Sequence, residues 1–196
     1  AVVGAIPQDL KFKEEHSVLE IGDRSVIREF VTISRGTAES GKTVIGSDCL
    51  LMNYVHVAHD CKIGNHVILS NSVTLAGHIE IQDHAGIGGL VPVHQFVKIG
   101  KHAFIGGGYR VAQDVPPYIL AAGEPLKFSG LNYVGLKRNT FSNEQIKTLE
   151  KVYHIIYRSH LNRAESFKKL KNELEMSDEV RTVVEFIENS ERGIIR

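Results

Sequence analysis

Residues 57–98 read VAHDCK, IGNHVI, LSNSVT, LAGHIE, IQDHAG, IGGLVP and VHQFVK when cut every six residues, and each block opens on Val, Ile or Leu. The register extends in both directions. Counting by sixes from Ile21 gives Ile27, Ile33, Glu39, Ile45 and Leu51, then the blocks above, then Ile99, Ile105 and Val111. Glu39 alone breaks the aliphatic series; it lies in residues 35–42 (RGTAESGK), which read as a loop thrown out of the repeat. The residue four places after each aliphatic one is small or apolar from Cys49 to Val115, Tyr109 excepted. A period of six excludes a helix, and an ordinary hairpin sheet would need long turns to produce it. It suits a solenoid, in which no single turn buries its inner face and stacking supplies one continuous core.

The pattern resembles the hexapeptide repeat of left-handed parallel β-helices. That resemblance implies three hexads per triangular coil, and it alone supplies the handedness, since parallel crossovers are otherwise right-handed. The fold expected is an all-β solenoid over 1–117, followed by a connector over 118–140 and a small α-helical domain over 141–196. Pro116-Pro117 ends the strand pairing. Ser142 with Gln145 makes a capping box, and Ile146, Leu149, Val152, Ile155 and Ile156 form an apolar helical stripe. A second helix is expected over 164–175. A third is expected from Ser177, with Val180, Val183, Val184, Phe186 and Ile187 inward.

Composition removes several function classes. Among 196 residues, 23 Lys and Arg balance 23 Asp and Glu, so nothing in the charge calls for nucleic acid. No apolar run is long enough to span a membrane. Cys49 and Cys61 cannot build a disulfide framework and form no CxxC, which points to a reducing, cytoplasmic setting. The chain opens at Ala1 inside patterned sequence and is read as lacking upstream coils.

The repeat converts residue number into position. His59, His78 and His94 fall in hexads opening at Val57, Leu75 and Val93, one coil apart, so one edge of the prism is expected to carry all three. His56 lies three residues before His59. His66, His84 and His102 are read as lacking such alignment, and as structural or surface residues. Imidazole titrates near neutral pH and suits general base work. Asp60 follows His59 and could orient the ring, provided a corner conformation brings the two side chains together. Cys61 holds a small inward position, where burial outweighs reactivity. Direct attack by a substrate hydroxyl is therefore favoured over a covalent intermediate. His59 and His94 are two coils apart, roughly 10 Å along the axis, so a single ion could not easily gather three imidazoles, and no metal is expected.

Several stretches are more specific than the hexads. QDLK (8–11), HVAHDC (56–61), TLAGH (74–78), VHQF (93–96), VAQDVPPY (111–118), GLKR (135–138) and RGIIR (192–196) resemble the UDP-N-acetylglucosamine acyltransferases along the whole chain. The resemblance implies transfer of an (R)-3-hydroxyacyl group from acyl carrier protein to the glucosamine 3-hydroxyl of UDP-N-acetylglucosamine, opening lipid A synthesis. It implies a homotrimer with active sites between subunits. It implies no cofactor beyond the carrier-protein thioester as co-substrate. By the same resemblance His59 is the general base, Asp60 its supporting carboxylate, and Gly77 the source of a backbone N–H facing the oxyanion. Gln8, Asp9, Lys11, His56, His78, His94, Gln95, Asn132 and Arg138 are substrate-binding, Arg138 through phosphate. Gly107 limits acyl length, and a glycine there implies a long chain. Asn139 stands where the family often has a second Arg, and Val134 where it often has an acidic residue. A related UDP-sugar N-acyltransferase, or an acetyl-CoA-dependent hexapeptide acyltransferase, stays open as the alternative.

Overall fold

The computed structural model describes residues 1–159 and 161–196. Strands β1 (Val2–Ala5), β2 (Val18–Ile21) and β3 (Val26–Ile27) begin three different sheets. Thereafter each strand through β15 pairs with the strand three places earlier. The first sheet gains β4 (Thr32–Ser34), β7 (His56–Val57), β10 (Thr74–Leu75) and β13 (Pro92–Val93). The second gains β5 (Lys42–Ile45), β8 (Lys62–Ile63), β11 (Glu80–Ile81) and β14 (Lys98–Ile99). The third gains β6 (Leu50–Leu51), β9 (Ile68–Leu69), β12 (Gly86–Ile87) and β15 (Phe104–Ile105). All these pairings are parallel, and Leu75 sits between Val57 and Val93, three hexads away on either side. The product is a three-sided parallel solenoid with three edges, where the first sheet turns into the second, the second into the third, and the third into the first.

Burial explains the pattern. From Ile45 to Ile105 every aliphatic hexad opener is at most 3% exposed. Ile21 departs from the expectation at 36% exposed, because β2 is the terminal strand of its sheet and has a neighbour on one side only. The fourth residue of successive hexads, from Asp48 through Tyr54, Asp60, His66, Ser72, His78, His84, Leu90 and Phe96 to His102, has φ between 56° and 65°. Left-handed backbone costs an L-residue about 1–2 kcal/mol, so the stacked ladders and core must offset a penalty at each edge. In return the third and fourth residues of a hexad protrude from the edges.

Two segments leave the regular path, both at the first edge. Ile33 pairs with Val57, four hexads on rather than three, because 35–41 adds a loop of the kind expected. Val3 pairs with Ile33, five hexads on, because 6–17 adds a longer one that counting by sixes did not reveal. Beyond the hexads, β16 (Ile119–Ala122) pairs parallel to β15, and β17 (Lys127–Leu131) returns antiparallel to β16. With helix α1 (Tyr133–Arg138) they occupy the stretch expected as a connector. Helix α2 (Asn143–Arg158) opens with the expected Ser142–Gln145 capping box. Helix α3 (Arg163–Glu173) begins one residue earlier and ends two earlier than expected, because Leu174 is extended. Helix α4 (Asp178–Glu188) follows its N-cap Ser177 and buries Val180, Val183, Val184, Phe186 and Ile187. Asp114 ties the chain end to the solenoid: its N–H and C=O bond Gly193 and Ile195, and its carboxylate accepts from Ser190 Oγ at 2.7 Å and Lys98 N at 2.8 Å.

Candidate active site

The hexads opening at Val57, Leu75 and Val93 deliver two columns to the first edge. Their third residues are His59, Gly77 and Gln95; their fourth are Asp60, His78 and Phe96. The positive φ of Asp60 supplies the corner on which the sequence reading depended, and His59 Nδ1 lies 2.8 Å from Asp60 Oδ2. The His59 and His78 rings meet edge to face, centroids 5.1 Å apart. His94 departs from the expected stack. It is the second residue of its hexad, its Nδ1 lies 3.1 Å from Gln95 O, and among the described residues no ring contact joins it to His78. Phe96 takes that place, stacked on His78 at 4.6 Å. The edge thus carries an imidazole pair capped by a phenyl ring.

Asp60 is the most enclosed group of the edge, its side chain 0% exposed. Oδ1 accepts from Thr37 N at 2.9 Å and from Ser40 Oγ; Oδ2 accepts from Thr37 Oγ1 at 2.7 Å as well as from His59. Burial alone would push this carboxyl's pKa up. The bonds from Ser40, the Thr37 N–H, His59 and the Thr37 hydroxyl outweigh burial and hold it at about 2. Cys61 is buried as expected, and burial drives its thiol up to about 12, which removes it as a nucleophile at neutral pH.

Gly77 stands directly against His59. A Cβ there would lie 2.7 Å from His59 Cε1 and 2.9 Å from Nε2, so the ring occupies the space that any side chain would need. Neither the Gly77 N–H nor His59 Nε2 has a hydrogen-bond partner among the described residues. His56 lies on the outer face of the first sheet with Nδ1 2.7 Å from Thr32 Oγ1, and burial lowers its pKa. Gln8, Asp9 and Lys11 sit on the 6–17 loop at this same edge. Asp9 Oδ1 accepts the Lys11 N–H at 3.0 Å, and Lys11 makes no ion pair among the described residues.

Asn132 and Gly107 lie at other edges of the same chain, and Arg138 lies on helix α1. Asn132 donates Nδ2–H to His102 O at 3.0 Å at the second edge, while its Oδ1 caps α1 by accepting from Gly135 N. Its amide is thus largely committed to structure, which leaves one hydrogen and one lone pair for a ligand. Arg138 ends α1 and is exposed. Asn139 is the C-cap of α1 and donates Nδ2–H to Gly135 O at 2.8 Å. Gly107 is at the third edge, where a Cβ would press on Gly89 O at 3.1 Å. That edge also exposes Phe30, Tyr54 and Leu90.

The second edge overturns one expectation outright. His66, His84 and His102 follow one another at intervals of three hexads and do align: their rings stack at 4.5 and 4.6 Å, and Tyr118 continues the column at 5.7 Å. Burial lowers the pKa of His84, and burial followed by the charges of His84 and Lys101 lowers that of His102 to about 4.

Sequence reasoning missed Thr37, Ser40, Glu39 and Phe96. Phe96 was within reach, since it holds His78's hexad position one coil later. Glu39, the residue that broke the aliphatic series, places Oε2 3.5 Å from His78 Nε2. The spacing of His59 and His94 predicts no metal; His59, Asp60 and His78 nonetheless offer ligand atoms within 4.8 Å of one another. The four donors on the Asp60 oxygens compete with that use.

Comparison with known proteins places these features in context. Residues 42–77 match the bacterial transferase hexapeptide family (six repeats), and residues 114–195 match Udp N-acetylglucosamine O-acyltransferase, Domain 2. The chain is 56% identical to the acyl-[acyl-carrier-protein]–UDP-N-acetylglucosamine O-acyltransferase of Aquifex aeolicus (strain VF5), over all of this chain and 76% of that protein. The crystal structure of the UDP-N-acetylglucosamine acyltransferase from Bacteroides fragilis 9343 superposes with a TM-score of 0.97 at 50% identity, covering 100% of this chain and 76% of that one. That of Francisella novicida does so with a TM-score of 0.93 at 41% identity, covering 98% and 71%.

Proposed function

The chain belongs to the UDP-N-acetylglucosamine O-acyltransferase family, and on that premise we propose that it moves an (R)-3-hydroxyacyl chain from acyl carrier protein to the glucosamine 3-hydroxyl of UDP-N-acetylglucosamine, the first step of lipid A biosynthesis. One observation carries the chemistry: the buried, ionised Asp60 at 2.8 Å from His59 Nδ1. The carboxylate accepts the Nδ1–H and thereby leaves the lone pair on Nε2. Nε2 takes the proton of the sugar 3-hydroxyl as its oxygen attacks the thioester carbonyl carbon, and Asp60 stabilises the imidazolium that forms. The Gly77 N–H, left unpartnered, faces the oxyanion, a contribution typically worth about 3 kcal/mol. As the tetrahedral intermediate collapses, the C–S bond breaks and His59 returns the proton to the departing thiolate.

Gln8, Asp9, Lys11, His56, His78, His94 and Gln95 hold the sugar nucleotide, a reading supported by the first-edge placement of both loops and both columns. Arg138, with its planar fork, holds a phosphate, and Asn132 adds a nucleotide contact. Because Asn132 and Gly107 lie on different edges from His59, no single chain gathers them, which supports active sites between subunits of a homotrimer. The coils are read as left-handed, supported by the hexapeptide match. The domains are read as 1–117, 118–140 and 141–196. The enzyme works in the cytoplasm with no cofactor and no resident metal; among the described residues no helix is long and apolar enough to cross a membrane. A Gly107→Met variant should prefer shorter acyl chains, read from competition between carrier-protein thioesters of different length.

The test is the product. Purified enzyme, UDP-N-acetylglucosamine and (R)-3-hydroxyacyl carrier protein should give an acylated nucleotide by mass spectrometry, its ester cleaved by mild base. Turnover with acyl-CoA alone, or a base-stable amide formed on an amino sugar, would replace this reading with the alternatives.

A further inference from the structure

We propose that the 35–41 loop is a clamp for the Asp60 carboxylate, and that Thr37 and Ser40 are positioning residues of the acyl-transfer site. The inference rests on the His59–Asp60 reading above and deepens it.

The repeat itself does not bury Asp60. Phe96 holds the same hexad position two coils later and remains 45% exposed, while the Asp60 residue is 4% exposed. The difference is the loop. It leaves the solenoid at the first edge, between β4 and β5, and sets three donors on a carboxylate more than one coil away in sequence. With His59, each Asp60 oxygen then accepts two hydrogen bonds. The Asp60 N–H is fixed as well, donating to Thr43 Oγ1 at 2.9 Å.

The loop is built to hold this geometry. Gly41 N donates to Thr37 O at 2.8 Å and closes it. At its base, a Cβ on Gly36 would meet Lys42 N at 2.3 Å, a close backbone approach that only glycine permits. Ala38 N donates to Glu15 Oε1 at 2.9 Å, which braces this loop against the 6–17 loop. Thr37 is 6% exposed, so its hydroxyl is withdrawn from water and available to the carboxylate.

The fold has no need of a buried anion here. The equivalent corner one coil later carries His78, and the third edge carries Ser72 and Leu90 in the same conformation. A carboxylate taken out of water is costly unless fully bonded. The position accepts that cost, and the stretch 35–42 that broke the aliphatic repeat serves to offset it. The clamp fixes which Asp60 oxygen faces Nδ1, and through it the direction in which His59 Nε2 points. Glu39 Oε2 at 3.5 Å from His78 Nε2 places the second imidazole under the same loop.

A double-mutant cycle tests this in the full chain, with kcat and KM measured for UDP-N-acetylglucosamine and carrier-protein thioester. Thr37→Val removes one donor and keeps the side-chain shape. It should lower kcat about tenfold, the weight of one hydrogen bond to a charged group, with KM for the sugar nucleotide unchanged. Thr37→Ser, which keeps the hydroxyl, should restore kcat. In an Asp60→Asn background Thr37→Val should have almost no further effect, because its influence runs through the carboxylate. An equal loss in both backgrounds, or a parent-like Thr37→Val, overturns the clamp. Should Thr37→Val fail to fold, Ser40→Ala on the exposed side of the loop enters the same cycle with the same criterion. Full activity in His59→Ala would instead overturn the reading of the reaction, a separate outcome.

Discussion

Two edges of the same prism carry histidines at coil spacing, and they put them to different use. At the second edge His66, His84 and His102 stack nearly parallel and run from an exposed ring to a buried one, under Tyr118 and Phe141. At the first edge His59 and His78 meet edge to face, a less regular arrangement. Regularity of stacking is therefore not the mark of a site. The second column is a graded packing element in which burial lowers the pKa of the inner rings, that of His102 to about 4. The first contains a buried anion bonded to a ring nitrogen, a glycine that clears space for that ring, and two loops. Those additions equip His59 for the general-base role proposed for it.

The largest expected effect separates the edges directly. His59→Ala should lower the transfer rate by about 10²–10⁴-fold, the usual weight of a positioned general base, with an unchanged circular dichroism spectrum. His84→Ala should leave kcat per folded enzyme parent-like, and comparable losses from both would erase the distinction. Next comes Gly77→Ala. Its Cβ would fall 2.7 Å from His59 Cε1, so the ring must move. A displacement of that order costs about a hundredfold in kcat, with a melting temperature near the parent's.

Effects at the second edge should appear in stability alone. His102 is 5% exposed and packs on Tyr118 and Phe141, so His102→Ala should cost about 2–3 kcal/mol in denaturant unfolding, as large-to-small core changes do. Its titration gives the smallest test. The folded pKa of about 4 lies below the ordinary imidazole value of about 6.5, so the unfolded chain takes up the proton first. Stability should be fully present above about pH 6.5 and fall as pH drops toward 4. His102→Phe, which removes one of the histidines that burial holds below the ordinary value, should make the fall in melting temperature shallower across that window. An identical slope in both proteins would assign the acid sensitivity elsewhere.

Much of this architecture was legible because a solenoid converts sequence spacing into position. The aliphatic hexads, the loop around Glu39, the capping box at Ser142 and the shared edge of His59 and His78 all follow from spacing and residue type. Position within the hexad was read less finely. His94 is the second residue of its block rather than the third or fourth, and that small offset moves its ring out of the stack. His66, His84 and His102 recur every third hexad, so their alignment too is contained in the spacing. Thr37 and Ser40 could not be found by spacing, because they reach Asp60 from outside the repeat and across more than one coil. What would have pointed to them is a physical question: what satisfies a carboxylate placed at a repeat corner beside an inserted loop?

The most direct measurement is kcat for Asp60→Asn, followed by product formation at saturating UDP-N-acetylglucosamine in a variant whose melting temperature and oligomeric state match the parent. The expected result is a fall of about a hundredfold, within the range for losing the support of a general base, with KM for the sugar nucleotide unchanged. A parent-like kcat would contradict the claim that a buried carboxylate at the first edge makes His59 the base.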